Sequence, residues 1–274
     1  MIPVIFALQL AFSVVGPSPL GAVSGDALGS SADYRTRLQR CVMGGAELAV
    51  PNCTAVIQTL DVPDEVLVEA FFRRGDAKYS QGELSEAVAD YDAALRIAPF
   101  RFEIHVNRAA ALAGLGYYRQ AVEAYGKAIA LRPNDARAFN SRGAAYVRLD
   151  EVELALADYD RAIALNSEYA EAFNNRGVVR SALGQLDAAL ADFNSALAID
   201  PHYADALNNR AVALIRKGEN AAALADLNRA LKLRPGFADA YYNRAVVLER
   251  LGRLTEAEED YATERATRTK PSHR

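Results

Sequence analysis

An all-α fold follows from three features of the sequence. A pattern of small and aromatic residues returns every 34 residues from Val68 to near the C-terminus. Each period holds a pair of stretches whose apolar residues recur at helical spacing, with glycine between them and proline after them. The pattern holds through six registers without insertion, and no strand is predicted in it.

The N-terminus differs from everything after it. Met1 to Gly25 carries no charged side chain, and Ile2 to Val15 is an apolar run interrupted by Pro3 and Gln9. Gly16-Pro17-Ser18-Pro19 follows, and then small residues at Ala22, Ser24 and Gly25 that suit a peptidase. Residues 1–25 are therefore expected to be a secretory signal peptide, although the basic segment that usually opens one is missing. The apolar run is short for a membrane span, so no stable span is expected in the mature chain. The alanine-rich repeats suggest a bacterial source, which makes the expected compartment the periplasm.

Residues 26–67 read as a degenerate helix pair. Tyr34 to Val42 forms one helix, Gly44-Gly45 breaks it, and a second helix begins between Glu47 and Pro51 and runs to Leu60. Proline is tolerated there because the first turn of a helix has no use for its missing N–H. Cys41 and Cys53 are the only cysteines. A short connection would set them on facing antiparallel helices, close enough for a disulfide. Closing so short a loop contributes about 3 kcal/mol in the chain-entropy account. In a reducing compartment the same residues would be buried thiols.

The periodic region then runs to residue 268, with units starting near 68, 102, 136, 170, 204 and 238. A small residue recurs at Gly75, Ala109, Gly143, Gly177, Ala211 and Ala245, and alanine at Ala87, Ala121, Ala155, Ala189, Ala223 and Ala257. Tyr91, Tyr125, Tyr159, Phe193, Leu227 and Tyr261 follow the alanines, and Pro99, Pro133, Pro201 and Pro235 close units, with Ser167 the exception. In the unit from 170, one helix covers Glu171 to Leu183 and the next Leu186 to Ile199, with Gly184 and Asp200-Pro201 as breakers. Small residues at Gly177, Ala189 and Ala196 let the helices approach, while Phe173 and Phe193 fill the space beside them. One such pair cannot bury its apolar stripe alone, so neighbouring pairs must stack into a solenoid.

This pattern resembles the tetratricopeptide repeat, whose period and order of large, small and aromatic residues it matches through six registers without insertion. The resemblance implies a right-handed solenoid with a concave groove that binds protein or peptide. The last unit carries Glu264-Arg265 where earlier ones have pairs such as Ala230-Leu231. With Glu258, Glu259 and Arg268 this gives the polar outer face a terminal repeat needs. Thr269 to Arg274 is expected to be a disordered tail.

Two further rows share the period. Arg74, Arg108, Arg142, Arg176, Arg210 and Arg244 flank the packed stripe, and Asp90, Asp158, Asp192, Asp226 and Asp260 recur on the second helices, with Ala124 in the remaining unit. A repeated structural ion pair is expected, and spacing leaves open whether it forms within a unit or between units. The other row is Asn107, Asn175, Asn209 and Asn243, with Arg73 and Ser141 completing it. Asparagine is a poor helix former, so its recurrence asks for a reason. The resemblance implies that this face lines the concave surface, where asparagines can hold the backbone of an extended peptide. Copies of one duplicated unit would also share residues by descent. Asn140, Asn174 and Asn208 sit beside this row, Val178, Val212 and Val246 lie three residues beyond it, and Arg148, Arg216 and Arg250 are placed at the groove's edge.

Other chemistry is excluded. A net charge of -4 does not suit a phosphate-binding surface, so no nucleic-acid partner is expected. His105, His202 and His273 fall at different phases of the repeat and build neither a triad nor a metal site; His105 occupies a large-aromatic position and reads as structural. Neither a CxxC pair nor a glycine-rich phosphate loop is present. Asn52-Cys53-Thr54 matches a glycosylation sequon, but its cysteine is assigned to the disulfide. No cofactor and no enzyme activity are expected. The sequence reads as a protein-binding scaffold, and the rival reading is a self-associating element whose groove holds a second copy or its own N-terminal segment.

Overall fold

The computed structural model describes residues 31–269, and the leader over residues 1–25 and the end at 270–274 lie outside the described residues. The described residues form helices joined by short turns. The chain divides at Glu151 and Val152 into two compact units. In the unit before the division, α1 (Ser31–Met43) and α2 (Ala46–Ile57) precede α3 (Asp64–Ser80), α4 (Leu84–Ile97), α5 (Phe102–Gly114), α6 (Tyr118–Leu131) and α7 (Ala136–Arg148). The unit from Val152 holds α8 (Val152–Leu165), α9 (Ala170–Ala182), α10 (Leu186–Ile199), α11 (Ala204–Lys217), α12 (Asn220–Leu233), α13 (Ala238–Arg250) and α14 (Leu254–Thr269).

The ends of the chain differ from the expectation. Helix α3 begins at Asp64, ahead of residue 68, because Pro63 at its N-cap has a fixed φ that leads into a helix and Asp64 and Glu65 sit where the helix dipole favours acids. At the other end, Thr269 is not part of a tail. It closes α14, with its hydroxyl bonded to the Arg265 and Ala266 carbonyls.

The turns between paired helices depend on one backbone conformation. Gly82, Gly116, Gly184, Gly218 and Gly252 all have φ between 75° and 82°, and Asp150 takes the equivalent position with φ 61°. A residue in the left-handed region lets the chain turn back and hand its N–H groups to the last helical carbonyls; glycine does this without a Cβ penalty, and aspartate is among the few residues that tolerate it.

Packing within a pair rests on the small-residue row. A Cβ added to Gly75 would lie 2.7 Å from the Tyr91 ring, and one on Gly177 would lie 2.8 Å from the Phe193 ring. Tyr91 and Phe193 are fully buried. In the first unit, Cys41, Cys53, Val56, Val66 and Ala70 form a core cluster joining α1 and α2 to α3. In the second, Leu207, Ile215, Leu227 and Val247 lie in one core cluster with Ala196, Ala206, Ala211 and Ala223. Cys41 and Cys53 are bonded, with their Cα atoms 4.9 Å apart.

Candidate functional site

The arginine row is structural, and the tertiary structure decides its register. Arg74, Arg176, Arg210 and Arg244 each reach the aspartate of their own repeat, at Asp90, Asp192, Asp226 and Asp260, through Nε and Nη2 together. This fork matches the two carboxylate oxygens, and all four aspartates are buried. The third nitrogen of Arg176 bonds Asp160 of the preceding second helix at 2.6 Å, and Arg210 and Arg244 reach Asn194 and Asn228 in the same way. One guanidinium therefore ties three helices. Arg74 and Arg176 also lie over the rings of Phe71 and Phe173, at 5.7 and 5.5 Å. In the second repeat Ala124 offers no carboxylate, and Arg108 turns to Asp92 of the repeat before it, at 2.6 Å.

The asparagine row is continuous but closed. In the unit from Val152, Asn209 Nδ2 donates to Asn174 Oδ1 at 3.1 Å and Asn243 Nδ2 to Asn208 Oδ1 at 2.9 Å, so amides connect α9, α11 and α13. The expected track open to solvent is not what the structure presents. Asn174, Asn175, Asn208, Asn209 and Asn243 are 0–3 % exposed, and Val178, Val212 and Val246 0–4 %. The amides instead act between first helices of successive repeats, where a buried carboxamide needs partners.

Arg216, expected at the groove's edge, is exposed and donates to the Ser181 carbonyl and hydroxyl near the end of α9. Arg250 does the same for the Ile215 carbonyl of α11 at 2.8 Å. A cation placed on the last carbonyls of a helix satisfies both their lone pairs and the helix dipole.

In the unit before the division, Asn107 and Asn140 are fully buried, and Arg148 lies over the Tyr118 ring at 4.9 Å. Asn107 Nδ2 donates to Asp76 Oδ1 at 2.8 Å, and the hydroxyl of the fully buried Tyr91 donates to the same oxygen at 2.8 Å. Asp76 escaped the sequence reading although its phase is that of Val178, Val212 and Val246; counting back by the period would have found an acid in a valine row. Burial pushes its carboxyl up to about 6, against the opposing pull of the Asn107 and Tyr91 hydrogen bonds and of nearby Arg73.

Family profiles described as tetratricopeptide repeat match residues 170–203 and 208–271, and a profile described as TPR repeat matches 75–116, 114–150 and 148–184. The chain belongs to the tetratricopeptide repeat family. Among solved structures, a tetratricopeptide repeat protein from Parabacteroides merdae is 21% identical over 86% of this chain and 93% of its own, with a TM-score of 0.72. YrrB, described as a TPR protein with an unusual peptide-binding site, is 26% identical over 69% of this chain and 95% of its own, with a TM-score of 0.52. Cut9, in the Cut9-Hcn1 hetero-tetramer of the APC/C, is 18% identical over 87% of this chain and 52% of its own, with a TM-score of 0.66. No curated protein matches the sequence.

Within this tetratricopeptide repeat fold the described residues contain no group of three or more His, Cys, Asp or Glu placed to hold a metal ion. No described helix is long and apolar enough to cross a membrane.

Proposed function

We propose that this chain is a non-catalytic protein-interaction scaffold that takes an extended segment of a partner along the first helices α9, α11 and α13. The observation that carries the reading is the amide series Asn174–Asn209 and Asn208–Asn243, which repeats one polar group at one phase across successive helices. An extended peptide offers an N–H and a C=O at every residue, and a carboxamide serves either kind. Val178, Val212 and Val246 supply apolar floor between the amides, and YrrB lends the reading a relative described as having a peptide-binding site. The Cys41–Cys53 bond supports export to an oxidising compartment, where such a staple persists.

The low exposure of the row favours a second reading of how the site works. Val178 packs in one core cluster with Ala189, Phe193 and Ala213, and Val212 and Val246 are fully buried, so a partner reaches these valines only by displacing what packs on them. The rival occupants are a second copy of the chain or the chain's own N-terminal segment.

A photo-crosslinking amino acid at Val212 tests both readings in native extract, with Arg265 on the exposed face of α14 as control. In a chain starting at Asp26, position 212 is expected to crosslink a partner and position 265 is not; equal crosslinking at both positions refutes the scaffold site. A full-length chain that crosslinks the partner as efficiently as the chain starting at Asp26 refutes occupancy of the groove by the N-terminal segment.

A further inference from the structure

The second repeat departs from the rest of the array at the positions that surround one cavity. Where other first helices carry Phe71, Phe139, Phe173, Leu207 or Tyr241, α5 carries the smaller His105. Ala124 stands where the other repeats have aspartate, and Arg108 has turned away to Asp92. At the tip of the turn before α5, Phe100 replaces the Asn134, Glu168, His202 or Gly236 of the other repeats and is 81% exposed. These changes coincide with a cavity of about 660 Å³ between α4, the 98–101 turn, α5 and α6. It includes none of the asparagine row.

The lining is both apolar and cationic. Leu95, Phe100 and Leu131 form one part of the wall, and Arg96, Arg108 and Lys127 outnumber the single acid Asp92. His105 also lines the cavity and is 7% exposed. Its Nε2 lies 2.8 Å from the Pro99 carbonyl, an acceptor, which fixes the proton on that nitrogen. Nδ1 is then left buried and without a hydrogen-bond partner. A buried ring nitrogen without a partner thus belongs to a residue that lines a cavity rich in cations.

We propose that this cavity binds a carboxylate carried on an aromatic or aliphatic group. The carboxylate sits against Arg108, Lys127 and His105 Nδ1, and the apolar part packs on Leu95, Phe100 and Leu131. Burial, with Lys127 and Arg108 nearby, holds the His105 imidazole below its usual range, which favours the neutral ring. A carboxylate beside Nδ1 reverses that balance. The ring takes a proton from solvent at Nδ1 and donates it in a hydrogen bond to the ligand. The charged groups that line the cavity with His105 are Asp92 and Arg96 from α4, Arg108 from α5 and Lys127 from α6.

The test is calorimetric titration of the full chain with 3-phenylpropionate, with an acetylated tripeptide ending in phenylalanine as the free acid, and with the same peptide as its C-terminal amide. Both acids are expected to bind and the amide to bind at least about tenfold more weakly, the loss of a charge-assisted hydrogen bond. If only phenylpropionate binds, the site takes free acids; if only the peptide acid binds, it takes chain termini; either result upholds the carboxylate. Equal affinity for acid and amide overturns the proposal, and so does no binding of any probe at millimolar concentration. Binding should take up a proton, read by repeating the titration in buffers of different ionisation enthalpy, and should tighten as pH falls from about 8 to about 6. His105→Phe restores the residue type of the neighbouring repeats, so it should fold normally and lose the acid about tenfold or more. Lys127→Glu, at an exposed position, provides an independent variant with the same expected loss; unchanged affinity in both variants overturns the assignment.

Discussion

Arg210→Ala should destabilise the chain more than Arg176→Ala, although the two arginines occupy the same position in successive repeats. Removing Arg210 takes both the Nε and Nη2 bonds, each 2.7 Å, from Asp226, whose residue exposure is 5%. Asp192 also loses two bonds when Arg176 is removed, yet Arg180 Nη1 remains 2.9 Å from its other side. The equivalent of Arg180 beside Asp226 is Leu214, which cannot compensate the charge. Breaking a buried pair by removing one partner costs about 3–5 kcal/mol, and the Arg210 side chain at 21% exposure admits some water, so about 2–4 kcal/mol is expected. For Arg176→Ala the surviving cation reduces the figure to about 1–2 kcal/mol.

Urea midpoints give the ordering. Because repeat arrays do not always unfold in one step, hydrogen exchange in α11 and α12 should locate the loss. Arg180→Ala added to Arg176→Ala should raise its cost to that of Arg210→Ala. If Arg176→Ala costs as much as Arg210→Ala by itself, the argument from the second cation is wrong.

Asp76 gives a pH prediction. Its folded carboxyl is pushed up to about 6 from 3.8, so the folded chain holds this proton more tightly than the unfolded chain does. Ionisation therefore opposes folding: the contribution to stability falls as pH rises from about 4 through about 6 and is level above that. Asp76→Asn should remove that slope, and identical midpoint-against-pH curves for the two proteins would contradict it. Asp150→Gly should stabilise by about 0.5–1 kcal/mol by relieving the left-handed conformation at φ 61°, read as a raised midpoint with unchanged slope. Reducing Cys41–Cys53 should cost up to about 3 kcal/mol and lower exchange protection in α1 and α2, with α11 to α13 unchanged. Uniform loss across the chain would show that the staple acts globally. Changing Asn175, Asn209 and Asn243 together to alanine should destabilise, because Asn174 and Asn208 lose the donors bonded to them; a gain in thermal midpoint would mean that helix propensity outweighs those bonds.

The sequence by itself determined the repeat. Period, small-residue row and turn glycines are local requirements: a helix crossing needs a residue without bulk, and a left-handed turn needs glycine or a tolerant substitute wherever it occurs. The residues that meet these requirements therefore recur in phase, from Gly75 with Tyr91 to Ala245 with Tyr261. The acidic row could be matched to the arginine row for the same reason.

Only the tertiary structure decided what each row faces. Spacing places Arg176 equally near the aspartates of its own and the preceding repeat, and the stacking distance lets it hold Asp192 and Asp160 at once. It placed the asparagines at one phase but could not say that Asn209 and Asn243 bond back to Asn174 and Asn208, because a carboxamide suits a neighbour and a ligand equally well. His105 looked like a structural replacement for an aromatic residue. Its unpartnered nitrogen and the cavity beside it depend on Phe100, Lys127 and Leu131 arriving from the adjacent turn and helix, and a linear pattern carries no record of that convergence.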